Sequence, residues 1–198
     1  MADSDPAARV IIAEDEAIIR LDLKEMLEEE GYDVVGEADN GDDAVRLARE
    51  LLPDISILDI KMPGTDGLSA AREIVAERLS AVLILTAFSQ RELIKTARDA
   101  GAFAYVVKPF QKSDLIPAIE LALGRFVEVQ QLETEVRDLN ERLEARKIVD
   151  RAKGKLMDEE GMSEADAFRT IQQAAMRARM TMRDVSSRLL EDGTLGVD

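Results

Sequence analysis

The first 110 residues alternate between short apolar runs and segments of helical periodicity, and this alternation limits the possible folds most strongly. Apolar runs this short are typical of buried strands. The strand candidates are Val10–Ala13, Val34–Ala38, Ile55–Leu58, Ala81–Leu85 and Ala104–Val107. Helix-like segments lie near 16–29, 40–52, 68–78 and 89–100. The pattern predicts an α/β fold in which a five-stranded parallel sheet is covered by helices on both faces, a doubly wound arrangement.

Local signals support the helix boundaries. Gly31 is placed to end the first helix, and Ser89 with Glu92 forms a capping-box pattern at the start of the fourth. A fifth helix is expected to begin near Ser113.

Composition excludes several classes of protein. The net charge of -15 argues against nonspecific attraction of the whole chain to nucleic acid or anionic lipid. The chain has no Cys and no His, so it forms no disulfide, lacks the commonest general base and cannot be a phosphohistidine donor. The N-terminus lacks an apolar signal core, and no apolar run approaches membrane-spanning length. We therefore expect a soluble cytoplasmic protein with no membrane partner.

Polar residues follow four of the predicted strands. Because the carboxyl ends of parallel strands meet at one sheet edge, these side chains are expected to converge there. They are Glu14 and Asp15, Asp59, Thr86, and Lys108. Clustered carboxylates suit a hard cation such as Mg²⁺, and lysine neutralises phosphate, so the set suits phosphoryl transfer onto Asp59.

Each residue of this set also has an ordinary explanation. Acids are common in turns, a threonine can simply end a strand, and a lysine can be a solvated surface charge. A Mg²⁺-dependent phosphohydrolase of the haloacid-dehalogenase type is a further alternative. That chemistry needs a second acid two residues after the nucleophile, where this chain has Lys61. We therefore expect a protein that is not an enzyme.

Residues 9–122 resemble the receiver domain of two-component response regulators. The motifs that carry the resemblance are Glu14-Asp15, the segment Pro53–Gly67, Thr86-Ala87 and the segment Ala100–Phe110. The resemblance implies a flavodoxin-like sheet of order 2-1-3-4-5 and a phosphoacceptor at Asp59, supplied by a sensor histidine kinase. It also implies a cis peptide bond between Lys108 and Pro109.

The same resemblance implies roles for the other site residues. Mg²⁺ would be bound by Asp15, Asp59 and the backbone carbonyl of Lys61, with Glu14 acting through water. Lys108 would bind the phosphoryl oxygens, and Thr86 would move towards them in concert with Tyr105. Glu14 stands where Asp is commoner in the family.

Residues 123–145 are predicted to form a helical linker with coiled-coil periodicity. The apolar residues follow a 3-4-3-4 spacing, with Val at two a positions and Leu at both d positions, which favours a parallel dimer. They are Val129, Leu132, Val136, Leu139 and Leu143. The stripe is short and ends at Arg146, the next d position. A helix that packs on its own chain is the alternative.

Residues 146–191 are predicted to form a domain of three short helices. Gly161 is placed as a C-cap, and Ser163 with Asp166 and Thr181 with Asp184 form capping patterns. The expected core stripes are Val149, Ala152 and Leu156, then Phe168, Ile171 and Ala175, then Val185 and Leu189.

This region resembles the ANTAR domain, an RNA-binding module of transcription antiterminators. The matching residues are Ala152-Lys153-Gly154, Leu156-Met157, Gly161-Met162-Ser163, Ala167-Phe168, Ile171, Ala175-Met176 and Val185. The whole architecture resembles the receiver–ANTAR regulators of mycobacteria and related actinobacteria. The resemblance implies binding to paired RNA hairpins, and the expected contacts are Lys153, Gly154, Arg177 and Arg179.

Charge alone gives weaker support for an RNA partner. Residues 146–191 carry 10 basic and 8 acidic side chains, a net of +2, and ordinary solvated helix faces would look similar. A DNA-binding or protein-binding output therefore remains the alternative. The expected organisation is a disordered N-terminus (1–8), the receiver (9–122), the linker (123–145), the ANTAR domain (146–191) and a flexible tail (192–198). We expect phosphorylation to control RNA binding and antitermination through a homodimer.

Overall fold

The computed structural model describes residues 7–87 and 97–195. The chain divides into two compact units, Met1–Gln130 and Gln131–Asp198. The first contains one parallel five-stranded sheet of order β2-β1-β3-β4-β5, as expected. Its strands are β1 (Arg9–Ala13), β2 (Asp33–Ala38), β3 (Ile55–Asp59), β4 (Ala81–Thr86) and β5 (Ala104–Val107).

Helices cover both faces of this sheet. They are α1 (Ala17–Glu29), α2 (Gly41–Leu51), α3 (Gly67–Ala76) and the N-terminal part of α4 (Lys112–Glu160). On one face, α2 and α3 pack on residues of β1, β3 and β4 such as Ile11, Leu58 and Ile84. On the other, α1 and α4 pack on alternate residues of the same strands, such as Ile12 and Ile57. β3 and β4 are buried along their whole length, which explains why they are mainly apolar, with Ser56 as the polar residue inside β3.

The predicted fourth helix lies largely outside the described residues. Its capping pair, Ser89 and Glu92, is among the residues not described, and 97–99 are helical. The predicted disordered N-terminus falls mostly outside the described ranges, and the predicted flexible tail falls outside them at 196–198. The cis bond between Lys108 and Pro109 is present.

The 49 residues of α4 form one continuous helix that contains the whole predicted linker. The apolar residues of the predicted coiled-coil stripe, Val129 to Leu143, are each 40–57% exposed. We call these residues, Val129, Leu132, Val136, Leu139 and Leu143, the α4 stripe. None of the helices in the described part of the chain has an apolar stretch long enough to cross a bilayer.

The second unit is a small bundle of the C-terminal part of α4 with α5 (Glu164–Ala178) and α6 (Met182–Asp192). The expected caps are present: Ser163 accepts a hydrogen bond from the Asp166 N–H, and Thr181 accepts one from the Asp184 N–H. Gly161 follows α4 with a positive φ of 68°. The first predicted short helix is therefore the end of α4 rather than a separate element.

The predicted core stripe of α5 is partly wrong. Ile171 and Ala175 are buried, but Phe168 is 43% exposed, and Ala167 occupies the core in its place. Alanine makes up half of the buried core of the bundle, and the larger buried residues are Leu156, Ile171, Val185 and Leu189. Small side chains let helices approach closely, and the phenyl ring lies at the edge of that contact instead of inside it.

Candidate functional site

Three carboxylates meet at the carboxyl edge of the sheet, as the sequence predicts. Glu14 and Asp15 follow β1, and Asp59 is the last residue of β3. Each offers one oxygen, and the three oxygens lie within 4.8 Å of one another. Glu14 and Asp59 are buried whereas Asp15 is exposed, so the cluster opens to solvent on the Asp15 side.

Lys108 brings the compensating charge from the end of β5. Its Nζ lies 2.7 Å from Asp59 Oδ1 and also forms a close ion pair with Glu14. Burial raises the pKa of the Glu14 carboxyl, although Lys108 opposes part of that rise. Burial by itself lowers the pKa of Lys108, but the hydrogen bonds to Asp59 and Glu14 outweigh that effect and raise it. The ammonium therefore stays charged between two carboxylates.

The loop after β3 fixes the Asp59 carboxylate from its other side. The Lys61 backbone N–H donates to Asp59 Oδ2 at 2.8 Å. Gly67, the first residue of α3, lies so close that a Cβ there would be 1.9 Å from the Asp59 carbonyl oxygen. Only glycine is compatible with that approach. Gly67 has no role among the sequence-based predictions; the signal for it is its position directly after Asp66, the N-cap residue of α3.

The residues expected to act as a switch lie on β4 and β5. Thr86 ends β4 and is 3% exposed, and its carbonyl accepts a hydrogen bond from the Lys108 N–H at 2.7 Å. Tyr105 lies on β5, two residues before the register partner of Thr86, and is 43% exposed. The structure thus places Thr86 inside the sheet edge and the tyrosine ring at the surface.

The donor set fits a hard divalent cation. Three carboxylate oxygens at this spacing are ligands of the kind that Mg²⁺ prefers, and the exposed Asp15 leaves room for water ligands. Two of the three carboxylates already share one ammonium. The site therefore combines an acidic pocket with a fixed cation, and Asp59 is the one carboxylate that both Lys108 and the Lys61 N–H contact.

The predicted RNA contacts are spread over the bundle. Lys153 has a side chain only 15% exposed and lies 2.8 Å from both Asp150 and Glu164, whose hydrogen bonds raise its pKa. Arg177 is exposed in the last turn of α5, and Arg179 follows as the C-cap with a left-handed φ of 54°. Within residues 7–87 and 97–195, neither arginine makes an ion pair.

Gly154 lies in the interior of α4 with open space around it. A Cβ at this position would have no neighbour within 4 Å, so no contact inside the bundle requires glycine.

The sheet order and the arrangement of Asp59 and Lys108 define the first unit as a receiver domain of the response-regulator class. A family model described as the response regulator receiver domain matches residues 10–120. The chemotaxis protein CheY of Thermotoga maritima is 40% identical over 112 residues, covering 56% of this chain and 93% of CheY. The solved signal receiver domain of NarL from Mycobacterium tuberculosis has a TM-score of 0.58 and 27% identity, covering 61% of this chain and 98% of that domain.

The second unit extends this assignment to the whole chain. An ANTAR domain model matches residues 137–190. The transcriptional regulatory protein PdtaR of Mycobacterium tuberculosis is 58% identical over 195 residues, covering 98% of this chain and 94% of PdtaR. The chain belongs to the response regulators that join a receiver domain to an ANTAR domain. It is a response regulator whose output is of the RNA-binding antitermination class.

Proposed function

We propose that a sensor histidine kinase phosphorylates Asp59 and that the phosphoryl group controls RNA-hairpin binding by the ANTAR domain, and hence antitermination. The observation that carries the proposal is the position of Asp59: it is buried at the end of β3, 2.7 Å from Lys108 and beside two further carboxylates. The chain acts as a cytoplasmic signalling protein and not as an enzyme with a separate substrate.

The reaction follows from this arrangement. An Asp59 carboxylate oxygen attacks the phosphorus of a kinase phosphohistidine, a P–O bond forms, and the P–N bond breaks as the imidazole leaves. Lys108 neutralises the incoming phosphoryl oxygens while the Lys61 N–H holds the second Asp59 oxygen in place. The receiver needs no general base for this step, because a carboxylate nucleophile, unlike a hydroxyl or a thiol, has no proton to lose before it attacks.

A Mg²⁺ ion would be bound by Asp15, Asp59 and the Lys61 carbonyl, with Glu14 acting through water. When bound, the ion supplies charge neutralisation for the transferring phosphoryl group. The open Asp15 side and the spacing of the carboxylate oxygens support this assignment. Lys108, which pairs with Glu14 and Asp59, would then also bind the phosphoryl oxygens.

The proposed switch runs through Thr86 and Tyr105. Thr86 donates its hydroxyl to a phosphoryl oxygen, and the surface ring of Tyr105 follows it inward. Support comes from the location of Thr86, whose backbone is hydrogen-bonded to that of Lys108 at 2.7 Å.

The output is RNA binding by a homodimer that forms at least when Asp59 is phosphorylated. The α4 stripe is the proposed dimer contact, because five half-exposed apolar side chains at heptad spacing favour a parallel coiled coil. Two ANTAR domains would then bind paired hairpins, with Lys153, Gly154, Arg177 and Arg179 as contacts. Of these four residues, Arg177 and Arg179 are the strongest candidates for phosphate contacts, because neither has an acidic partner in the described part of the chain.

The test is binding of the purified chain to a paired-hairpin RNA in Mg²⁺, with and without a small-molecule acyl phosphate. Asp59→Asn is the matched variant, since it keeps the size of the side chain and removes the nucleophile. We expect the phosphodonor to raise RNA affinity for wild type only. Equal RNA affinity with and without the phosphodonor would refute control by phosphorylation but would support RNA binding by the ANTAR domain. Failure to bind several such hairpins would favour a DNA-binding or protein-binding output.

A further inference from the structure

A groove in the second unit surrounds the exposed ring of Phe168. It has a volume of about 510 Å³ and lies between α4, α5 and the start of α6, within the range of about 300–1,000 Å³ that is usual for small-ligand sites. Its apolar wall is formed by Ala145, Val149, Phe168 and Met182. We call this the Phe168 groove.

The charged rim of the groove is basic. Three cations and one acid line it: Arg146, Lys153, Arg183 and Asp150. That local charge of +2 contrasts with -15 for the whole chain. Asp150 neutralises Lys153 at 2.8 Å and lies 3.9 Å from Arg146. Arg183, in contrast, makes no ion pair within the described ranges and stands in the first turn of α6, where the helix dipole also favours an anion.

We propose that the Phe168 groove binds one unpaired nucleobase of a hairpin loop, stacked on Phe168, with Arg183 and Arg146 binding the flanking phosphates. The proposal rests on the RNA-binding function proposed above and specifies the residue that reads the loop. An aromatic face beside cations is the arrangement that proteins use for unstacked bases of single-stranded loops. A phenylalanine in the core of the bundle would be almost fully buried, whereas Phe168 is 43% exposed.

A second copy of the chain fits this groove less well than RNA does. If the heptad pattern of the α4 stripe continued, its next a and d positions would be Arg146, Asp150 and Lys153. Charged residues at three successive core positions disfavour a continued coiled coil, because their desolvation is costly. The helices of a dimer are therefore expected to separate after Leu143, which leaves the groove of each copy open to another partner.

The groove includes Lys153, one of the RNA contacts expected from sequence, but it differs from the surface that carries Arg177. Phe168 and Arg177 are nine residues apart in α5, about two and a half turns, so they project from opposite sides of the helix. The two surfaces can therefore be tested separately by substitution.

The experiment uses the full chain and a pool of RNA hairpins that share one stem and carry a randomised loop. Wild type is used to select loops, and the affinity of each variant for the selected hairpin is then measured. Phe168→Leu keeps an apolar side chain but removes the aromatic face, and we expect affinity to fall about 5- to 100-fold. Phe168→Tyr keeps the ring and should bind like wild type. Thermal unfolding of each variant checks that the bundle is intact.

Two further readouts separate stacking from a structural effect. With 2-aminopurine at each loop position in turn, one position should change fluorescence on binding to wild type and not to Phe168→Leu. Arg183→Gln should reduce the slope of log affinity against log salt by about 0.7–0.9, one phosphate contact, whereas Phe168→Leu should leave the slope unchanged. Arg188→Gln is the matched control, because Arg188 is also an exposed α6 arginine but does not line the groove.

The outcomes distinguish the two proposals. If wild type selects hairpins but Phe168→Leu binds them equally well with the same 2-aminopurine signal, the groove proposal is overturned and the RNA function stands. If wild type selects no loop from the pool, the RNA-binding proposal fails, and the groove proposal fails with it.

Discussion

Gly154 gives a prediction in which stability and RNA binding change in opposite directions. Glycine in a helix interior is less favourable than alanine by about 0.8–1.0 kcal/mol. At Gly154 the added methyl group meets no atom within 4 Å, so no steric penalty offsets this gain. We therefore expect Gly154→Ala to stabilise the second unit by about 1 kcal/mol, and to raise its melting temperature by about 4–8 °C if that unit unfolds independently.

RNA binding should respond in the opposite sense. A glycine that the bundle does not require suggests that another molecule approaches the helix backbone there. If RNA is that molecule, the methyl group of Gly154→Ala lies in its path and affinity should fall by about tenfold, equivalent to about 1.4 kcal/mol. The assay is RNA binding by fluorescence anisotropy, alongside calorimetric unfolding of the same preparation.

Gly124 provides the matched control on the same helix. A Cβ at Gly124 also meets nothing within 4 Å, but this glycine lies in the first unit, before the α4 stripe. Gly124→Ala should stabilise the helix to a similar degree and leave RNA affinity unchanged. The reasoning would be refuted if Gly154→Ala stabilised the bundle and bound RNA as well as wild type did.

Three further predictions follow from the geometry. Lys108→Gln leaves Glu14 buried without its cation, so the receiver should lose about 3–5 kcal/mol of stability. Added Mg²⁺ should then raise the melting temperature of the variant more than that of wild type. An equal rise would contradict the idea that Lys108 neutralises both Glu14 and Asp59. Leu139→Lys should abolish the phosphodonor-dependent dimer in sedimentation experiments, whereas Glu141→Lys, on the opposite side of the heptad, should not; loss in both would argue against the α4 stripe as the contact. Arg179→Gly should stabilise the bundle by about 1 kcal/mol, because glycine adopts the left-handed φ of 54° without strain, and should weaken RNA binding; retained affinity would exclude an Arg179 contact.

The receiver was predictable from the sequence because its central strands, β3 and β4, are buried on both faces. Ala81–Leu85 therefore appears as an unbroken apolar run and Ile55–Leu58 as a run broken by Ser56, and each run matches an observed strand to within one residue. Parallel topology then brings the strand ends together, so the convergence of Asp59 and Lys108 follows from element order alone. Sequence could not show which acid is buried, because that depends on how the loop after β1 turns.

The core of the bundle was harder to predict because two alternative apolar stripes of α5 both contain Ile171. Phe168 and Ala167 are both spaced correctly from Ile171, and hydrophobicity favours the larger side chain. The choice between them depends on the distance between helices, which the buried alanines of α4 and α5 keep short. The exposed ring that results is the feature on which the Phe168 groove depends.

The weakness of the α4 stripe is what would allow phosphorylation to control a dimer. Its five side chains are 40–57% exposed, so burying the exposed part contributes about 1 kcal/mol for each, or about 10 kcal/mol for two copies. Association costs about 4–15 kcal/mol, so the two terms are of similar size and the dimer is marginal. A coupling free energy of about 1–3 kcal/mol from the phosphorylated receiver would change the dimerisation constant about 5- to 150-fold. A longer apolar stripe would hold the dimer together in every state, and the signal at Asp59 would have no equilibrium left to shift.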